Sequence, residues 1–143
     1  MKLILRQESR LQNAIEIFVA LLFGGVGYYG LEILFRGHSH PSMALCGAVC
    51  FFFIDRLNAA YPRLLLPLKA LFSCFFITAV ELLAGCILNL WCGLEIWNYN
   101  ELPLNFWGQI CLPFCVVWFL LCFPVCLLNR LMRYALFYDY GRG

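Results

Sequence analysis

Residues 64–91 read LLLPLKALFSCFFITAVELLAGCILNLW, and Lys69 and Glu81 are the charged residues of this stretch. A helix of that length extends for roughly 42 Å at about 1.5 Å per residue, whereas the hydrocarbon core of a bilayer is about 30 Å thick. The stretch therefore predicts a membrane-spanning helix that tilts or kinks.

The composition of the whole chain points to the same environment. Of its 143 residues, 64% are hydrophobic and 13% are charged, whereas soluble domains are about 45–50% apolar and about 25% charged. A chain of this composition has too little polar surface to cover itself in water, which excludes an ordinary soluble protein. The net charge of +2 gives a nucleic-acid partner no electrostatic support, so we expect the lipid bilayer as the principal partner.

Three further apolar segments accompany the first, at residues 14–35, 42–61 and 108–132. Each is long enough to cross a bilayer as a helix. The sequence thus predicts an all-α fold, an integral membrane four-helix bundle that forms a single transmembrane domain over residues 1–143. The segment 42–61 crosses only if Asp55 and Arg56 lie at the membrane interface.

The basic residues predict the orientation of the bundle, because cytoplasmic segments of membrane proteins are enriched in lysine and arginine. On one side of the predicted spans lie Lys2, Arg6, Arg10, Arg56, Arg63, Lys69, Arg130, Arg133 and Arg142, and on the other lies Arg36. We therefore expect an N-in/C-in topology in the cytoplasmic membrane. The aromatic-rich loop of residues 93–107, between helices 3 and 4, is expected outside.

Glu81 is the strongest functional candidate. An ionisable side chain near the middle of a span costs roughly 2.5–3.5 kcal/mol on insertion scales, so it should face protein or water and not lipid. One interpretation is a protonated carboxyl that bonds a neighbouring helix and holds an assembly together. The other is a site for a transported ion, proton or ligand. Small and polar residues share its helix face, namely Cys74, Thr78, Gly85 and Asn89.

Glu32 lies toward the outer end of the first predicted span, one turn before Arg36. A glutamate four residues before an arginine favours an ion pair on a helix. The sequence therefore predicts an interfacial Glu32–Arg36 pair. The alternative is that Glu32 approaches Glu81 and that the two carboxyls share a proton or bind a cation.

The turn RGHSHP places His38 and His40 close together. Two ligands are fewer than a metal site needs, and Glu32 or Glu101 would have to complete one. We expect interfacial hydrogen bonds here rather than a metal site, with a pH-sensitive outer gate as a further alternative.

Nine cysteines occur, mostly within apolar runs, and no CxxC spacing appears, so a disulfide scaffold is not expected. Cys111, Cys115, Cys122 and Cys126 share one face of the fourth predicted helix. The stripe is typical of helix packing, and soft-metal transport is the alternative. The chain contains no nucleotide-binding glycine loop, nucleophile elbow or HExxH motif, so we expect no enzymatic activity, no catalytic residues and no cofactor.

Two stretches, GLEILFRGHSHPSM at residues 30–43 and ELLAGCILNLWCGLEIWNYNELPLNFWGQICLPFCVVWFLL at residues 81–121, resemble the small bacterial membrane proteins called putative type IV ABC-transporter permeases. The positions that carry the resemblance are Glu81, Gly85, Asn89, Trp97, Tyr99, Pro103, Asn105, Gly108, Gln109, Ile110, Cys111 and Trp118. Asn98 and Asn100 replace the usual Asp and Ser of that family. The resemblance implies a multi-pass, transport-related protein of a bacterial inner membrane, with a separate ATPase subunit as a further partner.

The loop after the third span carries amide side chains among aromatic ones, and its proline and glycine favour turns. Such a loop is expected to fold back as a re-entrant lid over the bundle, or else to be an ordinary interfacial loop. The lid candidates are Trp97, Tyr99, Pro103, Asn105 and Gly108.

The sequence therefore predicts a small permease or channel-like transport protein that works as a homo-oligomer or with a partner membrane subunit. The alternative is a non-transporting assembly or regulatory subunit. Glu81 is the expected central polar group, and the other polar-core candidates are Glu32, Asn89, Gln109 and Arg36. No substrate is indicated.

Overall fold

The computed structural model describes residues 2–137, with side chains from residue 10 onward. Of the basic residues behind the predicted orientation, the side chains of Lys2, Arg6 and Arg142 lie outside the described residues. The structure is helical, as predicted, with four helices long and apolar enough to cross a membrane. The chain is therefore a multi-pass membrane protein by length and composition of its helices.

The helices are α1 (Lys2–Arg36), α2 (Pro41–Ala60), α3 (Leu66–Gly85) and α4 (Leu112–Phe137). A π-helical segment, Cys86–Trp91, continues α3. Short strands β1 (Asn105–Phe106) and β2 (Ile110–Cys111) then form an antiparallel hairpin directly before α4.

With the π-helical segment counted as part of α3, the helix boundaries differ from the predicted spans by one or two residues, except at the start of α1 and at both ends of α4, which extends to Phe137 and not to residue 132. The fourth helix begins at Leu112 and not at residue 108, because the residues before it pair in the hairpin. The first helix begins at Lys2 and not at residue 14, because apolarity marks the part of a helix that enters the membrane and not its full length.

The chain divides within α2 into two compact units, one up to Phe52 and one from Phe53 onward. In the first unit, α1 packs on α2 through glycines. A side chain at Gly24 would overlap Phe51, and one at Gly47 would overlap Tyr28. The two helices therefore approach closely, as small residues allow in membrane proteins.

In the second unit α3 packs along α4, and the buried residues of this interface include Ala70 and Ser73 on α3 and Cys122 and Cys126 on α4. The rings of Phe53 and Phe76 stack with their centroids 4.0 Å apart, and this contact packs the last turns of α2 against α3. This unit also holds the hairpin and the connection that precedes it.

Candidate functional site

Glu81 on α3 is held by two neutral hydrogen-bond donors. The hydroxyl of Tyr99 donates to Glu81 Oε1 at 2.8 Å, and the indole N–H of Trp118 donates to Glu81 Oε2 at 2.9 Å. Tyr99 comes from the connection before the hairpin and Trp118 from the second turn of α4. The carboxyl therefore links three parts of the second unit.

Both donors pack against the ring of Phe114. The rings of Tyr99 and Phe114 stack with centroids 4.6 Å apart, and the rings of Phe114 and Trp118 are tilted, with centroids 6.2 Å apart. Phe114 thus orients both partners of Glu81 from one turn of α4. We call Glu81, Tyr99, Phe114 and Trp118 the Glu81 site.

The chemistry of this site accommodates both states of the carboxyl. An indole N–H can only donate, so Oε2 is an acceptor in either state. A phenolic hydroxyl can donate to an ionised Oε1 or accept a proton carried by it. No basic side chain bonds Glu81 among the residues with described side chains, so an ionised carboxylate there lacks a paired cation.

A second group of polar side chains lies where α3 ends. Asn89 donates to Trp97 O at 3.1 Å and to Gln109 Oε1 at 2.9 Å, and accepts from the Ile96 amide at 2.7 Å. Trp97 in turn donates to Gln109 O at 2.9 Å. Gly85 makes room for this group, since a Cβ there would lie 2.5 Å from Gln109 Oε1. These hydrogen bonds fasten the connection that follows α3 to the C-terminal end of that helix.

The remainder of the connection is held mainly by its own chain. Asn105 donates to Leu102 O at 2.9 Å and accepts from the Gly108 amide at 3.1 Å, while the Tyr99 amide donates to Gly108 O at 2.8 Å. Gly108 has φ +66° and packs against Asn100, so a side chain there would be strained. Pro103 is exposed. Whether these residues act as an outer lid stays a prediction.

Glu32 lies in the first unit and is buried. Arg36 donates to its Oε1 at 3.1 Å, four residues away as predicted, and Ser39 donates to its Oε2 at 2.6 Å. These bonds tie the end of α1 to the turn before α2. The sharing of a proton or cation between Glu32 and Glu81 stays a prediction.

The histidines lie in the same turn. His40 Nδ1 lies 2.7 Å from Ser42 Oγ and accepts from the Ser42 amide at 3.3 Å, so it caps the start of α2. His38 is exposed. Within the residues with described side chains, no group of three or more His, Cys, Asp or Glu could hold a metal ion.

A buried polar network, which the sequence reasoning missed, joins α2, α3 and α4. Lys69 donates to Asn58 Oδ1 at 2.9 Å, Asn58 to Asn129 Oδ1 at 2.8 Å, and Asn129 to Asp55 Oδ1 at 3.0 Å. Arg133 also donates to Asp55 Oδ1, at 2.8 Å. Asp55 and Lys69 are each 1% exposed. We call these five residues the Asp55 network.

The sequence did contain a signal for this network. Asp55 and Asn58 are three residues apart, and Asn129 and Arg133 four apart, so each pair shares a helix face. Polar pairs at helical spacing within apolar helices indicate a buried contact. In the sequence, Lys69 and Arg133 were interpreted only as basic residues that predict the topology.

The thiol stripe of α4 lies in the interface with α3. Cys111, Cys122 and Cys126 are buried, and Cys115 accepts at its carbonyl oxygen from the Cys74 thiol at 3.3 Å. The arrangement fits the packing interpretation. Cys111 precedes α4, outside the candidate spans, and burial raises the pKa of its thiol.

The two groups bring together six of the twelve residues on which the family resemblance rests. Glu81, Tyr99 and Trp118 meet in one, and Asn89, Trp97 and Gln109 in the other. No curated protein and no solved structure matches the chain. A family model described as putative ABC-transporter type IV matches residues 40–138, most of the chain. The chain therefore belongs to the putative type IV ABC-transporter family.

Proposed function

We propose that this protein is a small membrane permease or channel-like transport protein, without enzymatic activity, in which Glu81 is the central polar group. Family membership and four apolar helices support a membrane protein related to transport. The basic residues support an N-in/C-in topology in a bacterial inner membrane.

The observation that carries this proposal is the bonding of Glu81. Its carboxyl lies within a candidate span and bonds only neutral donors among the residues with described side chains. Because an unpaired charge in a membrane is costly, the site favours an occupant that neutralises it, either a proton or a bound cation. A carboxyl that gains and loses such an occupant is what an ion-coupled transporter requires.

Assembly with other chains is part of the proposal. Four helices enclose little space, so a pathway would lie between copies of this chain or beside a partner membrane subunit. ATP-driven transport would need a separate ATPase subunit, because the sequence carries no nucleotide-binding glycine loop. The exposed connection between α2 and α3, around Arg63, is the internal segment that the predicted topology turns to the cytoplasm.

The hydrogen bonds of Glu81 also support a second candidate function. Tyr99 and Trp118 use Glu81 to fasten the connection and α4 to α3. In a non-transporting assembly or regulatory subunit, this fastening would be the whole role of the carboxyl. A neutral amide could replace the Glu81 carboxyl in the assembly function but not in the transport function.

Flux measurements in proteoliposomes test the proposal. The purified protein is reconstituted, and uptake of H⁺, Na⁺ and K⁺ is followed with ion-sensitive dyes at a clamped membrane potential. Glu81→Gln should abolish the flux and leave the oligomer size unchanged. Glu101→Gln, which alters an exposed glutamate, is the matched control and should leave the flux intact. Unchanged flux in Glu81→Gln would contradict the transport role of the carboxyl.

A further inference from the structure

Four basic side chains gather around a single carboxylate at one end of the second unit. Arg56 of α2 and Arg133 of α4 both bond Asp55, the first at Oδ2 and the second at Oδ1. Lys69 of α3 belongs to the same Asp55 network, and Arg130 of α4 is an electrostatic neighbour of Lys69. We call Arg56, Lys69, Arg130 and Arg133 the basic cluster.

The basic cluster carries more positive charge than its carboxylate balances. Asp55 bonds Arg56 and Arg133, whereas no carboxylate bonds Lys69 or Arg130 among the residues with described side chains. Lys69 donates to a neutral amide oxygen, and Arg130 beside it has the same sign of charge. Like charges repel, and a buried cation without a counter-ion is costly. An anion bound next to Arg130 would relieve both penalties.

The arginines of the basic cluster are accessible to such an anion. Arg130 is exposed, and the side chains of Arg56 and Arg133 are 34% and 23% exposed. Arg130 and Arg133 are three residues apart and therefore neighbours on the surface of α4. Lys69 is 1% exposed, so it acts on an anion through its charge and not by direct contact. A guanidinium is well suited to bind phosphate, because its N–H groups match two phosphate oxygens.

The position of the basic cluster along the helices indicates where the anion comes from. Its members lie within candidate spans, with Arg56 about one turn from the end of α2 and Lys69 about one turn after the start of α3. Phospholipid headgroups lie at the ends of membrane helices, and long basic side chains reach toward them. Leu127 and Leu120, toward the middle of the span from Arg130, are 48% and 61% exposed. A ligand with both a phosphate and an acyl chain fits this sequence of charged and apolar surface.

We propose that the basic cluster binds the phosphate group of an anionic phospholipid, whose acyl chain lies along Leu127 and Leu120 of α4. Arg130 bonds the phosphate, while Arg56, Arg133 and Lys69 add positive charge around it. Inorganic phosphate shares the headgroup chemistry but has no group to cover the exposed leucines. The site is separate from the Glu81 site, and its occupation does not depend on transport by this protein.

Lipid retention in native mass spectrometry tests the site. The full-length protein is released from mixed micelles that contain phosphatidylglycerol and phosphatidylcholine in equal amounts, and wild type should retain phosphatidylglycerol preferentially. Arg130→Gln should weaken this binding by about fivefold, the scale expected for one basic side chain near an anionic headgroup. Arg130→Lys keeps the charge and should retain most of the preference. Arg36→Gln, which removes an arginine before α2, is the matched control and should bind within about twofold of wild type.

Thermal unfolding provides a second measurement on the same proteins. A ligand that binds the folded state raises the Tm, so phosphatidylglycerol should raise the Tm of wild type and Arg36→Gln more than phosphatidylcholine does. The additional rise should be smaller in Arg130→Gln.

Three results would contradict the proposal. Equal retention of the two lipids by wild type would overturn the site, and so would equal phosphatidylglycerol binding by Arg130→Gln and Arg36→Gln. Displacement of phosphatidylglycerol by inorganic phosphate, but not by chloride at the same ionic strength, would overturn the lipid as the occupant. None of these measurements involves Glu81, so the transport proposal is tested separately.

Discussion

Trp118 donates its indole N–H to Glu81 Oε2 at 2.9 Å, and this bond joins the second turn of α4 to α3. Because the indole cannot accept, the bond is the same whether or not the carboxyl carries a proton on Oε1. Tyr99, whose hydroxyl can reverse its role, is the partner that responds to the proton. The two aromatic residues therefore have distinct functions at one carboxyl.

At a pH at which Glu81 is ionised, Tyr99→Phe should lower the free energy of unfolding by about 1.5–3 kcal/mol, the range for a hydrogen bond to a charged group. The loss should shrink when Glu81 is already Gln, because the charge is then gone. Unfolding in mixed micelles, followed by circular dichroism in a double-mutant cycle, measures the coupling. Trp107→Phe is the control, since Trp107 is 64% exposed. Equal losses in both backgrounds would show that Tyr99 does not stabilise the Glu81 charge.

Gly85→Ala should destabilise the protein by about 1–3 kcal/mol, because the new methyl group would push Gln109 away from Asn89. Gly27→Ala is the matched control, since a Cβ at Gly27 meets nothing within 4 Å. The control should be neutral or stabilise by about 0.5–1 kcal/mol, the usual helix preference for alanine. Equal effects of the two substitutions would contradict the contact between the connection and α3.

Asp55→Ala should cost about 1–3 kcal/mol in unfolding free energy, because the buried Asn129 amide and the half-buried Arg133 guanidinium would lose the carboxylate that they bond. Glu101→Ala, at an exposed position, is expected within about 0.5 kcal/mol of wild type. Thermal unfolding monitored by size-exclusion chromatography provides the comparison. A small loss in Asp55→Ala would mean that the Asp55 network does not hold the helices together.

Thiol labelling tests the predicted orientation. In variants that keep one cysteine, a membrane-impermeant maleimide should label exposed Cys92 in intact cells, and Arg63→Cys only after the membrane is opened. Cys111 should react slowly at neutral pH, because its raised pKa leaves little thiolate, and faster as the pH rises. Labelling of Cys92 only after permeabilisation would place the connection in the cytoplasm.

The apolar helices and the position of Glu81 within one of them could be predicted from the sequence, because both depend on local properties. Apolarity over about 20 residues predicts a membrane helix, and one carboxyl within it stands out. The spacing of Glu32 and Arg36 on one helix was likewise sufficient to predict their ion pair.

The partners of Glu81 and Asp55 could not be assigned in the same way. Trp118 and Asn129 lie far along the chain from the residues they bond, and one sequence does not fix how helices rotate against each other. The hairpin before α4 escaped prediction because its strands have two residues each, too few for a periodic pattern.

We propose that the Glu81 carboxyl exchanges a proton while Tyr99 and Trp118 hold it. Infrared difference spectroscopy of the reconstituted protein, recorded as the pH is stepped, measures this exchange through the carbonyl band of the protonated acid. We expect a pH-dependent band that Glu81→Gln loses and Glu101→Gln retains. The same spectrum in wild type and Glu81→Gln would contradict it, because the carboxyl would then keep one protonation state and serve assembly alone.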